Sequence, residues 1–346
     1  MTILLTGGAG YIGSHVLLCC LEAGYEVVVL DDFSNSSPEA LARVRGMADG
    51  HVTLHRGDVC NADLLAQIFA SHKIDAVLHF AGLKAVGESM QVPLAYYDVN
   101  VGGTVTLARS MAAAGVFRLV FSSTASVYGD QTQMPLTEAS ALGSPASPYG
   151  RSKLMVEQVL SDLCAADPRW SVGVLRYFNP AGAHPSGRIG EDPRGAPANL
   201  IPYAMQVAVG RRPVLSVFGD DYPTPDGTGV RDYIHVMDLA HGHLAAMDHL
   251  AKHRGHHVWN LGTGTGHSVL QVIKGMEVVT GKPLPWTIVP RRPGDTAQCW
   301  ADPAKAEADL GWRAIYSLDE MLADHWRWQA QNPVGYGLLG PVAEKG

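Results

Sequence analysis

Charge is scarce in this chain of 346 residues: Asp, Glu, Lys and Arg make up 17% of it, where about 25% is usual. The 26 basic and 33 acidic residues leave a net charge of −7. That balance argues against a broad face for nucleic acid or anionic lipid, but leaves room for a local basic pocket for phosphates. Cysteine is also sparse. Cys19, Cys20, Cys60, Cys164 and Cys299 are odd in number, scattered, and form no C-x-x-C. Neither a disulfide framework nor a structural zinc site is expected, and reduced thiols suit a cytoplasmic protein. The histidines are dispersed, and no H-E-x-x-H is present, so no metal site is expected. No apolar run approaches the ~20 residues of a membrane span. The opening Met1–Leu5 has no basic flank and runs at once into glycines. It reads as a buried strand rather than a signal peptide. Repeats and low-complexity segments are absent.

What is plentiful is apolar sequence, 47% of the chain. At ~150 residues per domain, this length suits about two domains with substantial cores. Short apolar runs at Ile3–Thr6, Glu26–Leu30, Val52–His55, Ala76–Phe80, Arg118–Ser122 and Ser171–Arg176 read as strands. Between them, Ile12–Ala23, Leu64–Ser71, Leu94–Ala114 and Tyr149–Ala166 have helical apolar spacing. This alternation predicts an α/β protein, a Rossmann-type doubly wound parallel sheet with ligands at the carboxyl ends of its strands. Beyond about residue 180, Gly and Pro thicken and a second group of elements follows: Leu200–Val209, Val214–Phe218, Val236–Leu250, Val258–Leu261, Val269–Thr280 and Leu318–Gln331. We expect residues 1–180 to form a dinucleotide domain and 181–346 mainly a smaller α/β substrate domain. Part of 232–262 is allowed to pack back on the first, and 332–346 is expected to fray.

Gly8-Ala9-Gly10-Tyr11-Ile12-Gly13 matches G-x-G-x-x-G, and Gly7, Gly10 and Gly13 are themselves evenly spaced. Such a loop turns tightly out of a strand, admits a pyrophosphate to the backbone and packs the next helix on the sheet. The helix N-terminus then offers free N–H groups to the phosphates. The second strand ends in Asp31-Asp32, carboxylates suited to ribose hydroxyls and repulsive to a 2′-phosphate; no arginine stands nearer along the chain than Arg43. These features favour NAD over NADP. Asp58, after the third strand, is placed to reach the adenine edge.

Tyr149 and Lys153 stand four residues apart, so on a helix they share a face. A nearby ammonium favours the phenolate of a tyrosine, which makes it a usable base. The preceding strand ends in Ser122-Ser123-Thr124, which brings hydroxyls to the same end of the sheet.

These residues sit within longer runs: TGGAGYIGSH (6–15), HFAGLKAVGES (79–89), SPYGRSKLMVEQ (147–158), LRYFNPAGAHPSG (175–187), GEDPRG (190–195), FGDDYPTPDGTGVRDYIHVMDLA (218–240) and WNLGTG (259–264). Taken together they resemble the nucleotide-sugar epimerases of the extended short-chain dehydrogenase/reductase family, over nearly the whole chain. The resemblance implies retained NAD and a reversible inversion at C4′ of UDP-glucose and UDP-galactose through a 4-ketosugar. Tyr149, Lys153 and Thr124 would be catalytic. NAD would be held by Gly7, Gly10, Tyr11, Ile12, Gly13, Asp31, Asp32, Phe33, Ser34, Asn35, Ser36, Asp58, Val59, Phe80, Ala81, Gly82, Leu83, Lys84, Thr124, Tyr149, Lys153 and Phe178. The UDP-sugar would meet Lys84, Thr124, Tyr149, Asn179, Asn199, Leu200, Ser216, Val217, Phe218, Arg231, Arg292, Asp295 and Cys299. Arginine suits phosphate oxygens, and an aromatic ring suits a flat base. The family also implies a homodimer through the Leu94–Ala114 and Tyr149–Ala166 helices.

The chain departs from the family pattern at three places. Thr124 stands where relatives carry Ser, which keeps the hydroxyl but stiffens χ1. Val99 stands where relatives have an Asn that touches the cofactor, with Asn100 left beside it. Cys299 stands where a bulky Tyr borders the sugar, and implies room for the 2′ substituent of UDP-GlcNAc and UDP-GalNAc. Two rival readings stay open. An NDP-sugar 4,6-dehydratase would share the NAD fold and the Tyr/Lys pair, but that family places an Asp-Glu pair just after the threonine, where this chain has Ala125-Ser126. A non-catalytic dinucleotide sensor would need neither Tyr149 nor Lys153.

Overall fold

The computed structural model describes residues 1–292 and 294–337. In chain order, the first elements are β1 (Thr2–Thr6), α1 (Tyr11–Glu22), β2 (Glu26–Asp31), α2 (Pro38–Arg45), β3 (Val52–Arg56), α3 (Ala62–Ser71), β4 (Ala76–His79), α4 (Val86–Ser89) and α5 (Pro93–Tyr96). A π-helical stretch at Tyr97–Gly102 leads into α6 (Gly103–Ala113), β5 (Arg118–Thr124), a 3₁₀ turn at Ala125–Tyr128, α7 (Pro148–Ala166), β6 (Ser171–Tyr177) and β7 (Asn179–Ala181). There follow α8 (Leu200–Ala208), β8 (Leu215–Phe218), β9 (Val230–His235), α9 (Val236–Leu250), β10 (Gly255–Leu261), β11 (Gly266–Ser268) and α10 (Val269–Thr280). The last are β12 (Trp286–Val289), β13 (Gln298–Cys299), α11 (Ala304–Leu310) and α12 (Leu318–Gln331).

Seven strands form one parallel sheet in the order β10-β6-β5-β4-β1-β2-β3. The order reverses between β1 and β4, which opens a crevice at the carboxyl ends of those strands. Both faces of the sheet are covered, as its continuous apolar strands require. One face packs on α1 and α9 through Val16, Leu17, Leu239 and Met247; the other packs on α3, α6 and α7 through Ile68, Leu107 and Val156. The later elements build two small sheets: β9 joined by β7, β11 and β13, and β8 paired with β12. A separate core of Ile201, Met205, Val217, Ile273 and Leu322 binds them to α8, α10 and α12.

Local chemistry sets the element ends. Ser147 caps α7 by accepting from the N–H of Gly150 at 3.1 Å, with Pro148 in the first turn. Ser268 with Gln271, and Ser317 with Glu320, form capping boxes on α10 and α12.

The sequence reading changes at two places here. The uniform helix over Leu94–Ala114 is broken into α5, the π-helical stretch and α6. Buried Asn100 lies in that stretch and binds the backbone of Leu83, while Thr104 Oγ1 donates to the Asn100 carbonyl at 2.7 Å. A π-bulge inserted at a working residue is a familiar way to re-aim it. Helix α2 was not foreseen, although its start is marked: Ser37 accepts from the N–H of Glu39 at 3.2 Å, and Pro38 opens the first turn. Within the expected tail, buried Asn332 accepts from Arg43 at 2.7 Å, and the N–H of Tyr336 donates to Asp192 at 2.8 Å. The rest of that expected tail, 338–346, lies outside the described residues.

Candidate active site

The glycine loop leaves β1 at its carboxyl end. Gly7 has φ +71°, and a Cβ there would lie 2.7 Å from the Ala81 nitrogen. A Cβ on Gly13 would lie 2.3 Å from the Gly7 carbonyl oxygen, so the first turn of α1 is seated on the loop. Gly10 is the N-cap of α1 and offers no side chain, so the first N–H groups of a twelve-residue helix point out uncapped. That cradle fits an anion.

The carboxylates at the next strand ends do more structural work than the sequence suggested. Buried Asp31 accepts from the N–H groups of Ala9 and Phe33, both at 2.9 Å, and from Ser36 at 2.6 Å. It thereby shapes the loop it was expected to complement, and keeps a lone pair on Oδ2. Burial pushes its carboxyl above the usual range, against those donors. Asp32 binds the N–H and hydroxyl of Ser34, and Asp58 binds the N–H of Cys60 at 2.8 Å. Phe33 adopts φ +60°, and Asn35 accepts from the N–H of Arg194 at 3.1 Å. The count of arginines along the chain misled on one point. Strand pairing sets Arg56 in register with Asp31, and its guanidinium lies 5.9 Å from the Phe33 ring centroid.

After β4, Phe80 and Ala81 donate backbone bonds to Thr6, and a Cβ on Gly82 would lie 2.8 Å from Asn100 Oδ1. Leu83 exchanges two bonds with the Asn100 amide, which also reaches Ser152 at 2.9 Å. Asn100 is therefore committed to the scaffold rather than free to replace the missing amide at Val99. Val59 and Val217 point into the cores, so only their backbones can face a ligand. Ile12 is half-buried at the start of α1, and Tyr11 donates its hydroxyl to the Gly182 carbonyl at 2.7 Å.

Tyr149, Lys153 and Thr124 converge at the carboxyl ends of β5 and β6. Ser147 starts α7 so that Tyr149 lies in its first turn, with its ring edge-on to Tyr96 at 6.5 Å. Burial raises the Tyr149 phenol above its ordinary value, and a hydrogen bond with Thr124 opposes that rise. Lys153 is buried; its ammonium donates to the Ser122 carbonyl at 2.8 Å and lies 4.7 Å from the Phe121 ring centroid. Burial pulls its pKa down to about 8, while Glu157, one turn on, holds it up. Glu157 is in turn gripped by Arg176 at 2.7 Å and by Ser123 at 2.5 Å. Arg176 reaches Tyr128 at 3.0 Å, and Tyr128 donates to Asn260 at 2.6 Å. Sequence reasoning missed this buried chain; only the convergence of β5, β6, β10 and α7 makes it.

The other wall of the crevice comes from the later sheets. Phe178 is buried beside Val127, Tyr128 and Ala301, and Cys299 packs on the same group. Burial pushes the Cys299 thiol up to about 11, so it is a small neutral side chain rather than a nucleophile. Its strand pairs with β9 in register with Arg231, whose Nη1 donates to the Val230 carbonyl at 2.9 Å. Asn179 opens β7, and Asn199 sits at the N-terminus of α8 with its side chain making no cap bond, next to Leu200. Ser216 and Phe218 alternate with the buried residues of β8 and face outward. The Arg292 guanidinium lies 4.4 Å from the Phe218 ring centroid and binds Asp295 at 3.0 Å.

Among the described residues, no cluster of three His, Cys, Asp or Glu could hold a metal ion, and no helix is long and apolar enough to cross a membrane.

Residues 3–262 match the family described as the NAD dependent epimerase/dehydratase family. The chain is 57% identical over 336 residues to a UDP-glucose 4-epimerase from Yersinia pestis, covering 97% of this chain and 99% of that protein. The UDP-glucose 4-epimerase from Bifidobacterium longum, solved in complex with NAD⁺ and UDP, is similar with a TM-score of 0.95 and 52% identity, covering 97% of this chain and 100% of the other. The UDP-Glc/GlcNAc 4-epimerase from Campylobacter jejuni is similar with a TM-score of 0.83 and 39% identity, covering 95% and 99%.

Proposed function

The chain belongs to the NAD-dependent epimerase/dehydratase family, and from that membership and the geometry above we propose how its crevice works. It inverts C4′ of UDP-glucose and UDP-galactose, reversibly and with NAD. The observation that carries this is the meeting of Tyr149, Lys153 and Thr124 at the same edge of the sheet as the glycine loop, with no carboxylate after the threonine: residues 125–128 are a tight Ala-Ser-Val-Tyr turn, and Thr124 itself caps Ser126. Elimination of water across C5–C6 needs an acid and a base that this turn does not supply.

The uncapped start of α1, Asp31 and Lys84 suit the pyrophosphate and ribose of a dinucleotide, and Lys153 and Phe178 suit its other end. Bound there, NAD supplies a reversible hydride acceptor. Tyr149 takes the proton of the 4′-hydroxyl as the C4′ ketone forms, and returns it when the opposite face is reduced. Burial alone would keep the phenol protonated. The Lys153 ammonium, mostly charged at pH 7, favours the phenolate. Thr124 hydrogen-bonds the reacting oxygen. Arg231 and Arg292 meet the diphosphate, Phe218 the uracil, and Asp295 the uridine ribose. A firm hold on UDP beside a loose hold on the sugar lets the ketone turn over.

Residues 1–180, with β10 as the seventh strand, are assigned to NAD, and the remainder mainly to the UDP-sugar. Small Cys299 leaves room beside the sugar, so UDP-GlcNAc and UDP-GalNAc are substrates too. Val86, Met90, Val92, Leu94 and Met155 are exposed on α4, α5 and α7 and the turn between them. This apolar face supports a homodimer. Five free cysteines support a cytoplasmic setting.

Incubating the purified protein with UDP-galactose and no added NAD tests the reading. UDP-glucose should form without net accumulation of NADH. A 4-keto-6-deoxy product would favour the dehydratase, and no turnover with retained NAD would favour the sensor.

A further inference from the structure

The segment from Gly182 to Gly195 carries little regular structure, yet it is tied along its length on two sides. Behind it stand α12 and the residues that follow. Arg327 donates to the Pro185 carbonyl at 2.7 Å, Asn332 to the Gly187 carbonyl at 3.2 Å, and Trp328 to the Glu191 carbonyl at 3.2 Å. In front, it touches the first residue of α1 and the loops at the carboxyl ends of β4 and β2. Tyr11 donates to Gly182, Lys84 pairs with Glu191 at 2.9 Å, and the N–H of Arg194 donates to Asn35 at 3.1 Å. These three places frame the dinucleotide crevice and follow adjacent strands of the sheet.

We propose that this segment is a strap that retains the cofactor, and that Glu191 is the positioning residue that fastens it. The inference rests on the NAD reading above. The Glu191 side chain is 3% exposed and that of Lys84 is 47% exposed, so a buried anchor holds an ammonium that reaches out at the crevice. The anchor depends on that ammonium. Glu191 Oε2 is buried without a hydrogen-bond partner among the described residues. His325 on α12 offers no charge in its place, because burial holds its pKa to about 4. A carboxylate so placed keeps one strong partner, Lys84, and loses it only at the cost of a stranded buried charge. The chemistry tolerates a closed strap. An epimerase regenerates NAD in every turnover and has no need to exchange it, whereas a net dehydrogenase must release the reduced form each cycle.

The test is the rate at which NAD leaves the purified full-length holoenzyme, followed in cofactor-free buffer with an enzyme that consumes free NAD, and with melting curves alongside. Glu191→Gln and Lys84→Met should each speed release by about tenfold or more. The double variant should be no faster than the faster single, because both break one contact. Lys84→Arg, which keeps the charge, should restore slow release. Arg188→Ala removes an exposed tie from the strap to Gly46, at 2.8 Å, and should also speed release; it carries the test if Glu191→Gln does not fold. Release from Glu191→Gln at the wild-type rate would overturn the strap alone. Wild-type protein that binds no NAD would overturn the cofactor reading beneath it.

Discussion

Three side chains carry the sharpest expectations at the residue scale. Tyr149→Phe removes the hydroxyl proposed to carry the proton but keeps the ring against Tyr96. Turnover of UDP-galactose should fall by about 100-fold or more, with bound NAD and melting temperature little changed. Lys153 should set the alkaline limb of the activity profile. Its pKa is lowered by burial to about 8, so its charge, present below that value, is lost as pH rises through it. Activity should decline above about pH 8. Glu157 holds that pKa up, so Glu157→Gln should move the decline to lower pH in a kcat profile. An unmoved limb would assign the decline to another group. The stability sign is opposite. Between the folded value and the ordinary lysine value the unfolded chain binds more protons, so Lys153 favours folding increasingly as pH rises through that window. At Cys299, Cys299→Tyr should fill space beside the sugar and lower turnover of UDP-GlcNAc far more than that of UDP-galactose. Equal effects on the two would refute the assignment of this residue to substrate range.

At the element scale, the loop between β1 and α1 and the placement of α7 matter most. A methyl at residue 13 would lie 2.3 Å from the Gly7 carbonyl oxygen and 2.9 Å from the Gly8 Cα, so the loop backbone itself would have to shift. Gly13→Ala should cost about 1–3 kcal/mol of stability as an overpacked site and empty the protein of NAD, read by denaturant unfolding and by nucleotide content. These elements were legible for a definite reason. The apolar strands, the glycine spacing and the i,i+4 Tyr–Lys pair are local patterns with local physical causes. The helix over 94–114 misled because its spacing is helical at both ends, while the π-helical turn between them is fixed by the distant partners of Asn100, Leu83 and Ser152. The short strands β7, β11 and β13, two or three residues each, exist only through their pairing with β9. No run that short has a period to read.

The whole molecule joins a seven-stranded sheet to two small ones. Its exposed apolar face on α4, α5 and α7 is the assembly question. Leu94, 75% exposed, and Met90, 61% exposed, are left uncovered by the described residues. Leu94→Asp should shift the protein from dimer to monomer in sedimentation experiments, and a monomeric wild type would remove the homodimer proposal altogether.

The sequence alone determined the βα alternation, the glycine loop that leaves β1 and the placing of Tyr149 and Lys153 one turn apart on a helix, because each is written in the spacing of a few neighbouring residues. Tertiary structure decided the rest. It placed Arg56 beside Asp31, spent Asn100 on the scaffold, buried Val59 and Val217, linked Glu157 to Arg176, and drew Glu191 to Lys84 from 107 positions away. Those outcomes depend on which strands pair and which faces are buried. Both are settled by the packing of the whole chain, and neither has a signature within any short stretch of it.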